Sequence, residues 1–249
     1  MSTSNYLKKV VRAVMAQTPY RILRRTDANR FQAFEDCLQG MKDRGFSPRV
    51  VIDGGAHLGS FSLAAERLFP GAAFHLVEPQ HACSAALQRL CRTRRAFTLH
   101  ECALAEHEGQ IDFTETTEPG TGAHVKVDDG HQAAVAVTAR TLDALFGQDI
   151  TPGDRALLKM DLQGYELHAL RGGLKLLRSI ETILTEVSFY FFQGHAPPFA
   201  DLMAFLDAND FQLYDIASLS GRTRDNRLKE GDALFVRKGT PLLQDRGWA

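Results

Sequence analysis

Four acidic residues each stand at the end of an apolar segment that is typical of a buried strand. They are Asp53, Glu78, Asp161 and Glu186. A carboxylate at such a position can accept hydrogen bonds from hydroxyl groups, bind an amino group, or take a proton as a general base. Because the carboxyl ends of parallel strands share one edge of a sheet, we expect the four side chains to converge on one cleft.

A glycine-rich turn follows the first of these acids and precedes a segment with helical periodicity. Ser60, directly after the turn, is in position to cap that helix. Glycine permits positive φ angles and lets a ligand approach the backbone closely. The order Asp53-x-Gly55-x-x-x-Gly59 differs from the Gly-x-Gly-x-x-Gly of dinucleotide-binding turns, and an acid here would repel a pyrophosphate. We therefore expect a different ligand to bind at Asp53, Gly54, Gly55, His57 and Gly59.

The second acid indicates what this ligand is. Glu78 ends the next strand about 20 residues after the turn, a spacing at which a carboxylate can accept both hydroxyls of a ribose. Glu101 and Cys102, at the end of a third strand over residues 97–101, would lie beside an adenine. Together with Asp53, Glu78 suggests an adenosine with a cationic or amino acid tail, a description that fits S-adenosyl-L-methionine. The alternative is an ordinary tight turn followed by a surface glutamate.

Methyl transfer from a sulfonium to an alcohol requires an acceptor oxygen in line with the methyl group and a base that takes the proton. Asp161 is the first candidate to lie beside the sulfur, steering the acceptor hydroxyl or binding the amino group; the alternative is a helix N-cap. Glu186 is a candidate to hold the substrate or, with Asp161, a divalent cation, but the ligand set is incomplete and we predict no metal. His195, in the loop after the fifth strand, is a candidate base or a solvated side chain.

A lysine stands inside the apolar strand that ends at Asp161. A buried lysine is costly unless it is paired. We therefore expect Lys159 to bind Glu166 or Glu186.

The elements that must position these residues alternate between strand and helix, which is typical of an α/β fold with a parallel sheet. Core strands are predicted over residues 50–52, 72–77, 97–101, 156–161 and 181–186, and a closing antiparallel hairpin over 211–215 and 232–237 with a polar connection at 217–231. Helices are predicted after Gly59, over 81–94, from Gly164 through about 177, and over 199–208. Residues 115–131 form a candidate lid beside short strands at 111–113 and 134–138.

The N-terminal part of the chain has helical periodicity over residues 5–17 and 28–44. We predict a helical extension over residues 1–45 and one main domain over residues 46–240. There is no internal repeat and no linker between domains.

Composition narrows the function classes. The 29 Lys and Arg against 30 Asp and Glu give a net charge of −1, so we expect no nucleic acid partner. The four cysteines have no CxxC spacing, which indicates thiols in a reducing compartment. No apolar run has the ~20 residues of a membrane span, and the N-terminus has no apolar signal-peptide region, so we expect a cytoplasmic protein.

Over residues 49–238 the sequence resembles the FkbM family of S-adenosylmethionine-dependent methyltransferases. The most specific matching block is Lys159-Met160-Asp161-Leu162-Gln163-Gly164-Tyr165-Glu166. Other matching blocks are Val51 to Gly59, Val77-Glu78-Pro79, Leu170 to Gly173, Thr185 to Phe189, and Asp232 to Arg237. Two residues depart from the family pattern: His57 replaces an Asn, and Gln163 replaces a common Glu.

The resemblance implies a class I methyltransferase fold, which is a Rossmann-like, seven-stranded, mostly parallel sheet with helices on both faces. It also implies methyl transfer to a hydroxyl oxygen of a small-molecule acceptor, either a sugar or glycan or a natural product. The rival interpretations are a nicotinamide-dependent oxidoreductase and a non-catalytic protein that keeps the cofactor fold for binding. The Asp53 turn argues against the first, and the intact set of Asp53, Gly55, Gly59 and Glu78 argues against the second.

Overall fold

The computed structural model describes residues 29–114, 123–126, 134–189, 197–222 and 225–244. The strands are β1 (Val50–Gly54), β2 (Ala73–Val77), β3 (Phe97–His100), β4 (Ala103–Leu104), β5 (Gly109–Thr114), β6 (His124–Val125), β7 (Val135–Arg140), β8 (Ala156–Met160), β9 (Ile180–Ser188), β10 (Phe211–Arg222) and β11 (Leu228–Arg237). The α-helices are α1 (Asn29–Asp43), α2 (Ser60–Leu68), α3 (His81–Thr93), α4 (Leu142–Phe146), α5 (Glu166–Arg171) and α6 (Phe199–Ala208). Short 3-10 helices lie at Pro152–Asp154, Leu176–Ser179 and Pro241–Leu243.

Seven strands form the central sheet, in the order β10-β11-β9-β8-β1-β2-β3. The neighbours from β9 to β3 are parallel, whereas β11 runs antiparallel to both β9 and β10. This arrangement confirms the predicted α/β class with a mostly parallel sheet. The chain builds outward in one direction through β2 and β3 and in the other through β8 and β9. The point of reversal between β1 and β8 is where open sheets of this kind bind ligands.

Successive side chains of a central strand point to opposite faces of the sheet and pack in different hydrophobic clusters. Val51 packs in the cluster that includes side chains of α1, α2 and α3, whereas Ile52 packs in the cluster that includes side chains of α4, α5 and α6. Both faces of the sheet are therefore covered by helices, as the near-continuous apolar character of the strands predicts.

A second sheet has the order β4-β7-β5-β6. Strand β7 pairs antiparallel with β5, which confirms the strand pair expected at 111–113 and 134–138. The candidate lid at 115–131 lies largely outside the described residues. Its described part, residues 123–126, contains β6, which extends this sheet by pairing with β5.

Three local predictions are wrong. Ser60 does not cap α2, because Gly59 occupies the N-cap position and no side chain caps the helix. The helix after Gly164 ends at Arg171 rather than near 177, with Gly172 at its C-cap. A Cβ at Gly172 would stand 2.2 Å from the carbonyl oxygen of Ala105, so the close approach of these two segments requires glycine. The polar connection at 217–231 is mostly strand, since β10 and β11 stay paired as far as Arg222 and Leu228.

The described part of the N-terminal extension is α1, which confirms the helix expected at 28–44; the helix expected at 5–17 lies outside the described residues. Phe34 of α1 meets Phe61 of α2 edge to face, with ring centroids 6.2 Å apart. Among the described residues, no helix is both long and apolar enough to cross a membrane.

Candidate active site

A cavity of about 210 Å³ lies at the carboxyl ends of β1, β2 and β8. Its polar lining comes from the glycine-rich turn and from the segments that follow β2 and β8. Its apolar lining comes from helices α1 and α2 and from the second sheet. The lining includes Phe34, Gly55, His57, Phe61, Glu78, Cys102, Leu104, Phe113, Ala123, Val125, Lys159, Asp161, Leu162, Gln163 and Tyr165.

The glycine-rich turn has the left-handed backbone that its sequence predicts. Gly55 and Gly59 have φ angles of 71° and 77°, and His57 has a φ of 49°. A Cβ on Gly55 would lie 2.0 Å from the carbonyl oxygen of Asp161, so the turn can approach the end of β8 only with glycine at this position. Of the predicted turn residues, Gly55 and His57 line the cavity, while Gly54 and Gly59 form the backbone beside it.

Glu78 lies in the cavity wall as expected, and both of its carboxylate oxygens are already engaged. Oε2 accepts a hydrogen bond from the backbone N–H of His57 at 2.7 Å, and Oε1 accepts one from Gln80 at 3.0 Å. Burial raises the pKa of Glu78, and these two N–H groups oppose that shift. Each oxygen keeps a second acceptor site, so the carboxylate can still bind hydroxyl groups of a ligand.

Asp53 does not reach the cavity, which corrects the expectation that it contacts the ligand. Its carboxylate is fully buried against α2, where Oδ2 accepts a hydrogen bond from the Ser62 hydroxyl at 2.7 Å. Lys159 Nζ lies 3.0 Å from the other oxygen and also donates to the carbonyl oxygens of Gly54 and Gly55, at 3.2 and 2.8 Å. The expected pairing of Lys159 with Glu166 or Glu186 is therefore wrong. Asp53 acts on the site through this lysine, which lines the cavity.

Glu101 also lies away from the cavity. It is exposed and accepts hydrogen bonds from Ser84 and Gln88 of α3. Because β3 ends at His100, the chain turns before Glu101, and Cys102 reaches the cavity wall in its place. Of the two residues that the sequence predicts beside an adenine, Cys102 lines the cavity and Glu101 does not.

Asp161 and Glu186 come together at the ends of neighbouring strands. Asp161 lines the main cavity, and Glu186 lines a much smaller cavity next to it. The side chain of Gln163 lies between them, with Nε2 2.8 Å from Asp161 Oδ1 and 3.3 Å from Glu186 Oε2. The glycine-rich turn after β1 thus has Asp161 and Glu186 on one side, at β8 and β9, and Glu78 on the other side, after β2.

Glu166 is a further acid at this site, which sequence reasoning treated only as a partner for Lys159. Its side chain is buried and accepts hydrogen bonds from the backbone N–H groups of Leu162 and Gly164, at 2.7 and 3.2 Å. Burial raises the pKa of Glu166 to about 7, and the nearby Asp161 carboxylate adds to the shift. The signal in the sequence was an acid at the first turn of a helix, where it can bind the N–H groups of the preceding loop.

The remaining predicted residue, His195, lies outside the described residues. The sequence analysis missed the apolar lining of the cavity, which includes Phe34, Phe113 and Val125. These residues belong to elements far from the motif in the sequence. Alternating or helical spacing of apolar residues predicts that they are buried, but it does not identify the cavity that they face.

The sheet order and the reversal point are those of the class I methyltransferase fold. A family model described as "Methyltransferase FkbM domain" matches residues 53–213. The chain belongs to this family, which confirms the resemblance stated from the motif. No curated protein matches the sequence significantly.

The chain is also similar to solved structures of methyltransferases. The FkbM methyltransferase from Methylobacillus flagellatus is 19% identical with a TM-score of 0.50; the match covers 76% of this chain and 43% of that one. The present chain thus spans less than half of that protein. Magnesium protoporphyrin IX methyltransferase from Synechocystis with bound SAM is 13% identical, with a TM-score of 0.48 and coverages of 93% and 97%. Precorrin-6y C5,15-methyltransferase from Geobacter metallireducens is 12% identical, with a TM-score of 0.46 and coverages of 89% and 93%.

S-adenosylmethionine is the cofactor of methyltransferases of this family, and the residues present fit its chemistry. Carboxylates such as those of Glu78 and Asp161 are able to accept hydrogen bonds from hydroxyl and ammonium groups, and both side chains line the cavity. The wall from Cys102 to Leu104, continued by Phe113 and Val125, is apolar and suits the faces of a purine.

Proposed function

We propose that the chain transfers the methyl group of S-adenosylmethionine to a hydroxyl oxygen of a sugar, glycan or natural-product acceptor. The observation that carries this proposal is one cavity in which Glu78 and Asp161 face an otherwise largely apolar wall. A neutral alcohol must lose a proton as it attacks, so the site must also supply an acceptor for that proton. Carboxylates converge here, which favours oxygen as the methylated atom.

The proposal assigns a separate binding role to each group of residues around the cavity. Glu78 would bind the ribose hydroxyls, the glycine-rich turn and Lys159 would shape the floor beneath the methionine part, and Asp161 would bind its amino group or orient the acceptor. When bound, the cofactor supplies an electrophilic methyl group on a cationic sulfur. The protein would contribute alignment of the acceptor oxygen with that methyl group, from which much of the rate can come.

Asp161 and Glu186 are the described candidates for the group that receives the proton. Both lie on the side of the cavity where Gln163 separates the main cavity from the smaller one. That second cavity is also lined by Phe199 and Leu202 of α6, and its volume of about 10 Å³ has room for about one water molecule. His195 remains a candidate base from the sequence alone.

Calorimetric titration with S-adenosylhomocysteine, with NAD⁺ in parallel, tests the proposal. Micromolar binding of the first and no binding of the second is expected, and it would justify screening sugars, glycolipids and polyketides for methyl uptake from labelled S-adenosylmethionine. Binding of NAD⁺ alone would favour the oxidoreductase interpretation. Cofactor binding without turnover on any acceptor class would favour the non-catalytic one.

A further inference from the structure

The turn between β8 and α5 holds a glutamine in an unusual backbone conformation. Gln163 has a φ of 55°, and Gly164 after it has a φ of 94°. An L-residue with a side chain adopts the left-handed region at a cost, and such positions cluster at functional sites. The conformation aims the Gln163 side chain at the gap between the ends of β8 and β9 rather than at solvent.

That gap would otherwise bring two carboxylates together. Met160 pairs with Thr185 in the parallel ladder, so the next residues, Asp161 and Glu186, lie side by side. Two neighbouring carboxylates repel, and in a partly buried site one of them tends to take up a proton. The Gln163 Nε2 lies 2.8 Å from one and 3.3 Å from the other, so each of its two N–H groups can serve one carboxylate. The opposite orientation of the amide would turn its oxygen toward two anions.

We infer that Gln163 is a positioning residue that holds Asp161 and Glu186 side by side by donating one N–H group to each carboxylate. This inference rests on the proposed function, because it takes Asp161 to face the bound cofactor. An amide bridge keeps both oxygens fixed without a charge of its own. Asp161, the member of the pair that lines the main cavity, would thereby be held in place beside the bound cofactor.

The geometry predicts the effect of the substitution Gln163→Glu on cation binding. A carboxylate oxygen at the position of Nε2 would form a triangle of oxygens with edges near 2.8 and 3.3 Å to Asp161 and Glu186. Oxygen ligands about 2.1 Å from an octahedral cation are separated by roughly 3.0 Å, so these two edges have the length expected between oxygen ligands of a Mg²⁺ or Mn²⁺ site. Removing the amide should convert the pair into a cation site.

The test is Mn²⁺ titration, followed by electron paramagnetic resonance, of the wild-type protein, Gln163→Glu and the control Gln88→Glu. Gln88 is a matched control because its amide also lies beside a carboxylate, that of Glu101, but away from both cavities. We expect one Mn²⁺ per chain in Gln163→Glu alone, together with weaker binding of S-adenosylhomocysteine that Mg²⁺ restores. A folded Gln163→Glu protein that takes up no more Mn²⁺ than the wild type would overturn the inference.

A second variant tests the positioning role of Gln163 even if Gln163→Glu does not fold. Gln163→Met keeps the length of the side chain and removes both donors, and it should bind S-adenosylhomocysteine roughly tenfold more weakly while melting like Gln88→Met. Unchanged affinity in Gln163→Met would contradict the positioning role. Absence of binding in the wild type would instead defeat the proposed function, and the Mn²⁺ result would still decide the role of Gln163.

Discussion

Lys159 Nζ lies 3.0 Å from Asp53 Oδ1, and the two residues are direct neighbours in the parallel register of β8 and β1. The lysine side chain is 7% exposed and the aspartate side chain is fully buried. The ammonium group also lies over the ring of Phe61, 5.7 Å from its centroid. The motif lysine thus ties the glycine-rich turn to the neighbouring strand from inside the protein.

We expect Lys159→Met to destabilise the fold by about 3–5 kcal/mol, because it leaves the Asp53 carboxylate buried without its counter-charge. Urea unfolding measures this change. Lys175→Met, at an exposed lysine, is the control and should change stability little. If the double variant Asp53→Asn/Lys159→Met lost the full sum of the two single losses, the two charges would not be coupled.

Glu78→Ala should weaken binding of S-adenosylhomocysteine by about 1–3 kcal/mol, through loss of charge-assisted hydrogen bonds to the ribose and of the anchor for the His57 backbone. Calorimetry on the variant gives the value directly. Glu101→Ala removes an acid of the same type at the exposed end of the next strand and should bind as the wild type does. Equal effects of the two substitutions would mean that the ribose is bound elsewhere.

Glu166 should make stability fall as the pH rises. Its pKa goes from 4.5 in the unfolded chain to about 7 in the folded protein, so the folded state binds the extra proton. The contribution of the protonated group is fully present below about pH 4.5 and is lost as the pH rises through about 7, with a slope of at most about 1.4 kcal/mol per pH unit. The difference in unfolding free energy between wild type and Glu166→Gln, measured from pH 5 to 8, isolates this term. A difference that does not change with pH would refute it.

A pair of histidines should have the opposite effect. His75 Nδ1 lies 3.1 Å from His100 Nε2, and both rings pack against Phe146. Burial lowers the pKa of His75, and burial together with His75 and Arg140 lowers the pKa of His100 from 6.5 to about 4. The stability that neutral His100 contributes is present above pH 6.5 and is lost as the pH falls toward 4. Histidine ring NMR should show His100 titrating below pH 5; a midpoint near 6.5 would contradict this packing.

Much of the fold could be predicted, because apolar runs that end in acids mark parallel strands regardless of their partners. The cleft position of Glu78 and Asp161 follows from the same rule. The contact between Asp53 and Lys159 could not be predicted in this way, because the direction of the Asp53 side chain depends on which face of the sheet it shares with Lys159. Only the register of β1 against β8 fixes that, and the sequence carries no direct signal of register.

Glu101 shows a second limit. The predicted strand is one residue too long, and this extra residue places the Glu101 side chain toward the ligand. In the structure β3 ends at His100 and the chain bends away. The apolar wall shows a third limit, since Phe34 and Val125 reach the cavity only through packing of whole elements against each other. Such contacts depend on tertiary structure, and local patterns do not encode them.

The second sheet, β4 to β7, is inserted in the chain between β3 and β8, and it forms one wall of the cavity without being part of the central sheet. The described strands of the second sheet pair with one another and not with the central sheet, although Leu104 of β4 packs in the core beneath that sheet. The cavity thus lies between two hydrogen-bonded ladders that share no strand. We therefore expect that changes in β5 to β7 would reshape the cavity while the ladder from β3 through β9 keeps its pairing.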